Sequence, residues 1–184
     1  MTDIEELIQH CKSGNREAQK ILYNKFSRLV MGICYRYSRS RPDAEDIFQE
    51  VFVKIFTNLH QYSGNGSFEG WIRRIAVNTS IKYVQRDTFR VSVEIDPEDD
   101  NLVDFSSAVE KLSANELLDL INELPEGYRL VFNLYAIEGY THKEIGEMLS
   151  ISEGTSKSQF FHAKKVLQTV LKAKGIMNIE ERLA

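Results

Sequence analysis

Residues Tyr140 to Leu167 read YTHKEIGEMLSISEGTSKSQFFHAKKVL. The pattern predicts two short helices and a tight turn. Thr141 is placed to cap the first helix, and Glu144, three residues on, can bond back to it as a capping box. Ile145, Met148 and Leu149 then recur at helical spacing. Ser150-Ile151-Ser152 is a polar turn around one apolar residue, and Ser152 can cap the second helix. That helix runs on through Lys157, Phe160, Ala163, Lys164 and Leu167. A helix, a short turn and a second helix with a basic face are what reading the DNA major groove requires.

The rest of the chain is helical around this segment. Pro125-Glu126-Gly127 is a sharp stop between a helix predicted over Ala108 to Leu124 and another over Tyr128 to Glu138. Between about Thr88 and Ser107 the periodicity fails, and Glu94 to Asp104 holds six acids and no base. Upstream, helices are predicted over Asp3 to Cys11 and over Arg16 to Tyr37, with Ile21, Leu22, Phe26 and Ile33 on the second helix's apolar face. Ser38 to Pro42 is a break, and Asp43 is read as the cap of the next helix. Its stripe is Ala44, Ile47, Phe48, Val51, Phe52, Ile55 and Phe56. Asn58 to Ser67 is a polar loop, and a helix follows over Phe68 to Arg86. No strand-like alternation appears. The expected fold is all-α: two small helical domains, residues 1–90 and 108–184, joined by an acidic linker over residues 91–107.

Composition narrows the class. The 184 residues carry a net charge of -4, which is awkward for a stand-alone DNA binder, because duplex affinity comes mainly from cations on phosphate. The cations are clustered, however. Trp71 to Arg90 holds five bases and one acid. No apolar run approaches the roughly 20 residues that span a bilayer, and the acidic N-terminus is unlike a signal peptide, so a cytoplasmic protein is expected. Cys11 and Cys34 have no metal-ligand spacing with each other or with any histidine and read as free thiols. No phosphate-cradling glycine loop, catalytic triad order or His/Cys cluster is present. The expectation is a non-enzyme with no catalytic residue, cofactor, metal or small-molecule substrate.

Three constellations carry the chemistry. Lys157, Ser158, Phe161 and His162 lie at i, i+1, i+4 and i+5, one face near the start of the second helix, where side chains reach base edges; Lys can meet guanine O6 and N7, and Phe a thymine methyl. Lys164 adds charge on the same helix. Trp71 to Arg90 interleaves Arg and Lys with Trp71, Tyr83 and Phe89, a pattern suited to single-stranded nucleic acid, with Asn78 able to read a splayed base. Trp71 reads more readily as core than as a stacking platform. On the helix after Asp43, Asp46, Gln49, Glu50 and Val53 face away from the apolar stripe. Composition alone favours plain surface there.

Taken in order, DAEDIFQEVFVKIF, GSFEGWIRRIAVNTSIKYVQRD and LINELPEGYRLVFNLYAIEGYTHKEIGEMLSISEGTSKSQFFHAKKVL resemble the extracytoplasmic-function sigma factors, two-domain members of the bacterial sigma family, from about Glu17 to Leu171. The resemblance implies that Asp46, Gln49, Glu50 and Val53 dock on the clamp helices of the largest subunit of core RNA polymerase, against the composition-only reading. It implies a pocket for a flipped base of the minus-ten promoter element around Tyr62 to Gly66, including Asn65, and Asn78. Arg73, Arg74, Lys82 and Arg86 would hold the strand and backbone. Lys157, Ser158, Phe161, His162 and Lys164 would meet the minus-thirty-five element. Partners implied are core RNA polymerase, promoter DNA and an anti-sigma factor.

The chain departs from the family's pattern in places. Family members often have Ala, Gly and Val where this chain has Gly146, Ser150 and Ser156, and Arg where it has Gln159 and His162. Ser156 in place of an apolar plug predicts looser packing, and the reading helix is less cationic. Two other classes fit parts of the sequence. A stand-alone helix-turn-helix regulator would bind a palindrome as a dimer. A degenerate sigma-like interaction protein would give no promoter-specific transcript.

Overall fold

A computed structural model describes residues 4–87 and 113–176, and all regular structure among them is helical. The expected linker over residues 91–107 and the start of the following helix lie outside the described residues. The chain divides into two compact units, Met1–Phe89 and Arg90–Ala184.

The first unit contains α1 (Ile4–Lys12), α2 (Arg16–Tyr37), α3 (Arg41–Asn58), a 3-10 turn (Leu59–Gln61) and α4 (Phe68–Asp87). The break between α1 and α2 follows from Gly14, at φ +80°, and from Asn15, whose side chain accepts the Ala18 N–H at 3.1 Å. Helices α2, α3 and α4 pack against one another. Leu22, Val30, Ile33, Ile47, Val51, Ile55 and Ile72 are fully enclosed between them; each such side chain contributes about 1.5–3 kcal/mol by leaving water. Tyr23 lies edge-on to Phe48 and tilted against Phe52, at 5.8 and 4.5 Å between ring centroids.

Two local expectations are corrected in this unit. The cap of α3 is Ser40, not Asp43. Ser40 Oγ accepts the Asp43 N–H at 3.2 Å and donates to the Asp43 carboxylate at 2.7 Å. Pro42 stands inside the first turn, where its missing N–H costs nothing because that donor has no intrahelical partner. Ile21 is 49% exposed, because it lies about 100° around the helix from Leu22, on which the seam is centred.

The second unit contains α5 (Ala114–Asn122), α6 (Glu126–Phe132), α7 (His142–Leu149) and α8 (Glu153–Ala173). Its core joins Leu120, Ile121, Leu124 and Phe132 to Ala163, Leu167 and Leu171 of α8. Capping boxes start α5 at Ser113 and α7 at Thr141, and Ser152 Oγ accepts the Thr155 N–H at 2.9 Å to start α8. The helix expected to run straight to Glu138 instead widens after Phe132 into a π turn over Asn133–Ile137, with Glu138 N–H on the Asn133 carbonyl at 3.0 Å. The wider turn keeps Asn133 and Leu134 buried and leaves Tyr135 and Ile137 exposed.

The α7–α8 turn is tight. Ser150 is the one described non-glycine residue at positive φ (57°). Gly146 permits the approach, since a Cβ there would stand 2.8 Å from the Ile151 carbonyl oxygen. Ser156 does not loosen the packing: it is fully buried, and its hydroxyl is 2.9 Å from His142 Nδ1. The His142 ring also stacks on Tyr135 at 4.2 Å. This polar clasp joins α7, α8 and the π turn, where looser packing was expected.

Two outcomes follow. Ser150→Gly removes the penalty of a left-handed L-residue and raises protection of α7 and α8 amides in hydrogen exchange by about 0.5–1 kcal/mol. Burial, and then Lys157, hold the His142 imidazole below its usual 6.5. The unfolded chain therefore takes up that proton first on acidification. The stabilising contribution is full above about pH 6.5 and fades as pH falls through the folded value. An NMR titration of the His142 ring is expected to give a midpoint below 6.5, moved toward it when Ser156→Ala opens the clasp to water.

Candidate nucleic-acid interface

The inward face of α8 is Ser156, Gln159, Ala163, Leu167 and Leu171, all buried. Gln159 sits against α6, its amide 3.2–3.3 Å from where a Gly127 side chain would begin, so it is a packing residue. That leaves Lys157 exposed and Ser158, Phe161 and Lys164 half-buried on the remaining surface. Lys157 pairs with Glu153 at 2.7 Å, and Lys164 Nζ lies over the Phe160 ring at 5.1 Å. His162 is half-buried. Its ring stacks on Tyr128 at 5.8 Å and meets Phe161 edge-on. Its Nε2 is buried without a hydrogen bond, and burial, then Lys165, lower its pKa. Both causes favour the neutral ring, and nothing in the sequence signalled the Tyr128 stack.

In the first unit, the loop before α4 is braced from within. Tyr62 O–H donates to the Gly66 carbonyl at 2.9 Å, and Lys12 Nζ donates to the Tyr62 carbonyl at 3.0 Å. The Tyr62 ring packs on Phe68 and Trp71, which stack on each other at 5.6 Å. Gly64 and Gly66, both at φ +83°, flank Asn65, which is exposed at the loop tip. Trp71 is half-buried, part core and part surface. Along α4, Arg74, Asn78 and Lys82 recur at i, i+4 and i+8, all exposed, and Arg86 continues the row. Arg73 pairs with Glu69 at 3.0 Å.

On α3, Asp46 and Gln49 are exposed, Val53 is 64% exposed, and Glu50 is half-buried. The sequence reading missed Lys54 and Thr79. Lys54 Nζ donates to Glu50 at 2.6 Å and to Thr79 Oγ1 at 3.3 Å. The i, i+4 spacing of Glu50 and Lys54 was the available signal; the link to Thr79 of α4 had none.

Among the described residues no group of His, Cys, Asp or Glu could hold a metal ion, and no helix is long and apolar enough to cross a membrane. Cys11 and Cys34 are free, buried thiols. Burial raises both, Cys34 to about 12.

Residues 22–90 match the sigma-70 region 2 family, and residues 114–167 match sigma-70 region 4. The chain is 27% identical to an ECF RNA polymerase sigma-E factor of Haemophilus influenzae, over 91% of this chain and 94% of that protein. It is also 27% identical to the factor of the same name from Escherichia coli K12, over 88% and 90%. RNA polymerase sigma-H factor of Pseudomonas aeruginosa is 25% identical, over 91% and 93%. Among solved structures, CnrH in complex with the cytosolic domain of CnrY shares the fold at a TM-score of 0.50 and 21% identity, over 91% of this chain and 96% of that one. RpoE of Bartonella quintana, in complex with the anti-sigma factor NepR, does so at 0.52 and 18%, over 83% and 96%. With both regions in order, in two helical units that carry the surfaces described above, the chain belongs to the extracytoplasmic-function sigma factors.

Proposed function

We propose that this chain directs core RNA polymerase to a set of promoters and melts them, acting in the bacterial cytoplasm as an initiation subunit with no catalysis of its own. The observation that carries the reading is the pairing, in one chain, of a region 2 match bearing an exposed Asp46, Gln49 and Val53 face with a region 4 match bearing a capped helix-turn-helix. Asp46, Gln49, Glu50 and Val53 dock on the clamp helices of the largest subunit. The braced Tyr62–Gly66 loop offers Asn65, and α4 offers Asn78, to a flipped minus-ten base. Arg73, Arg74, Lys82 and Arg86 hold phosphates. Lys157, Ser158 and Phe161 read the minus-thirty-five element in the major groove, with Lys164 beside them and His162 as a neutral ring. An anti-sigma factor is the expected regulator, as for the structural relative solved with NepR.

A run-off assay tests this with core polymerase and genomic promoter fragments. Specific transcripts are expected only when the chain is added, and they vanish with Asp46→Ala, Gln49→Ala and Glu50→Ala combined. Transcripts that do not require the chain, or that survive the triple change, overturn the docking assignment. Binding of the isolated chain to a palindrome as a dimer would favour a stand-alone regulator.

The reading helix has its own test. Lys157→Ala should lower discrimination at one base pair of the minus-thirty-five element by about 1–3 kcal/mol, whereas Lys164→Ala should weaken all promoters alike. Competition between promoter variants in the holoenzyme distinguishes the two.

A further inference from the structure

Glu50 sits where the docking face of α3 meets the basic row of α4. Its two carboxylate oxygens are divided. Oε1 is 2.6 Å from Lys54 Nζ, and Oε2 is 3.7 Å from Arg86 Nη1. Lys54 is tied at its other side to Thr79 Oγ1, and Thr79 is buried in α4. Lys54 is thus fixed across the α3–α4 seam and holds the carboxylate at the surface. The Glu50 side chain is 29% exposed and Arg86 66%. One carboxylate therefore belongs to two surfaces at once.

We propose that Glu50 is a shared carboxylate that couples polymerase docking to the grip of Arg86 on DNA. This rests on the docking reading above. In the free chain the Glu50 charge offsets that of Arg86, and a guanidinium beside a carboxylate draws a phosphate less strongly than one without. Docking brings polymerase donors to the exposed side of Glu50. Those donors compete for the oxygen that faces Arg86 and turn the guanidinium toward phosphate. Lys54 keeps the other oxygen, so the carboxylate stays in place while its outer partner changes. Because linkage is reciprocal, DNA on Arg86 strengthens docking by the same factor. The chain then holds promoter DNA better on polymerase than alone, through a contact made of its own residues.

The test uses the full chain, a fluorescent fork-junction promoter DNA and core polymerase. The variants are Glu50→Gln, Arg86→Gln, the two together, and Glu45→Gln as a charge-matched control on the same helix, where Glu45 pairs with Arg41. Without polymerase, Glu50→Gln is expected to tighten DNA binding about two- to fivefold relative to Glu45→Gln, the range for an exposed pair. The gain should disappear in the Arg86→Gln background. With polymerase saturating, Glu50→Gln and the unaltered chain should bind DNA alike, while Arg86→Gln remains weaker. An equal gain from Glu45→Gln, or a gain that persists without Arg86, overturns the coupling. Core binding is measured separately on the unaltered chain. Its absence would remove the docking reading as well, whereas intact core binding without Glu50–Arg86 coupling would remove the shared carboxylate alone.

Discussion

A single carbonyl sets the geometry of the second unit. The Gly146 oxygen accepts the N–H of Ser150 and, at 3.0 Å, that of Ile151. Both bonds fold the chain back over residue 146, and the backbone arrives where a side chain would have been. In this chain the close approach goes with a residue without a Cβ at 146 and a left-handed residue at 150. Given those two, Ser152 falls at the start of α8, and Ser156 comes opposite His142. The inward run from Ser156 to Leu171 then follows from helical pitch alone, and so does the surface left to Lys157, Ser158 and Phe161.

The first unit solves a different problem. Three helices must bury one seam and still present two unlike outer faces, one acidic and one basic. A net charge of -4 means that the long-range field does not draw DNA to the chain, so contact depends on short-range cations. Placing those cations on α4 and the acids on α3, with Lys54 spanning the join, keeps the two faces adjacent without letting them neutralise fully. The aromatic bracing of Tyr62, Phe68 and Trp71 fixes the intervening loop from its root, so that only its glycine-flanked tip is open.

Much of this was legible in the sequence where a local rule decides the outcome. The Thr141–Glu144 box, the Ser152 cap, the α2 limits and the α3 stripe all depend on spacing within one helix, and spacing is visible in one dimension. The misses share a cause. Ser156 reads as a gap in the packing until His142 supplies its partner, and Gln159 and His162 read only as lost cations until α6 lies against the one and Tyr128 against the other. The π turn at Asn133 arises because Asn133 and Leu134 are both held inward while the chain must reverse at Gly139. The Ser40 cap is hidden in the sequence because Pro42 reads as a barrier, although proline is permitted inside the first turn. For the interface, the residue types were legible, but not the division of Glu50 between Lys54 and Arg86, which exists only once α3 and α4 are side by side.

The burial of the two cysteines bears on their reactivity. Oxidants attack the thiolate, and burial raises the Cys34 thiol to about 12, so little of it is ionised at pH 7. Cys11, also raised, is shielded by the same core that forms around α1 and α2. Both thiols are therefore poor targets for peroxide and for disulfide exchange while the chain stays folded.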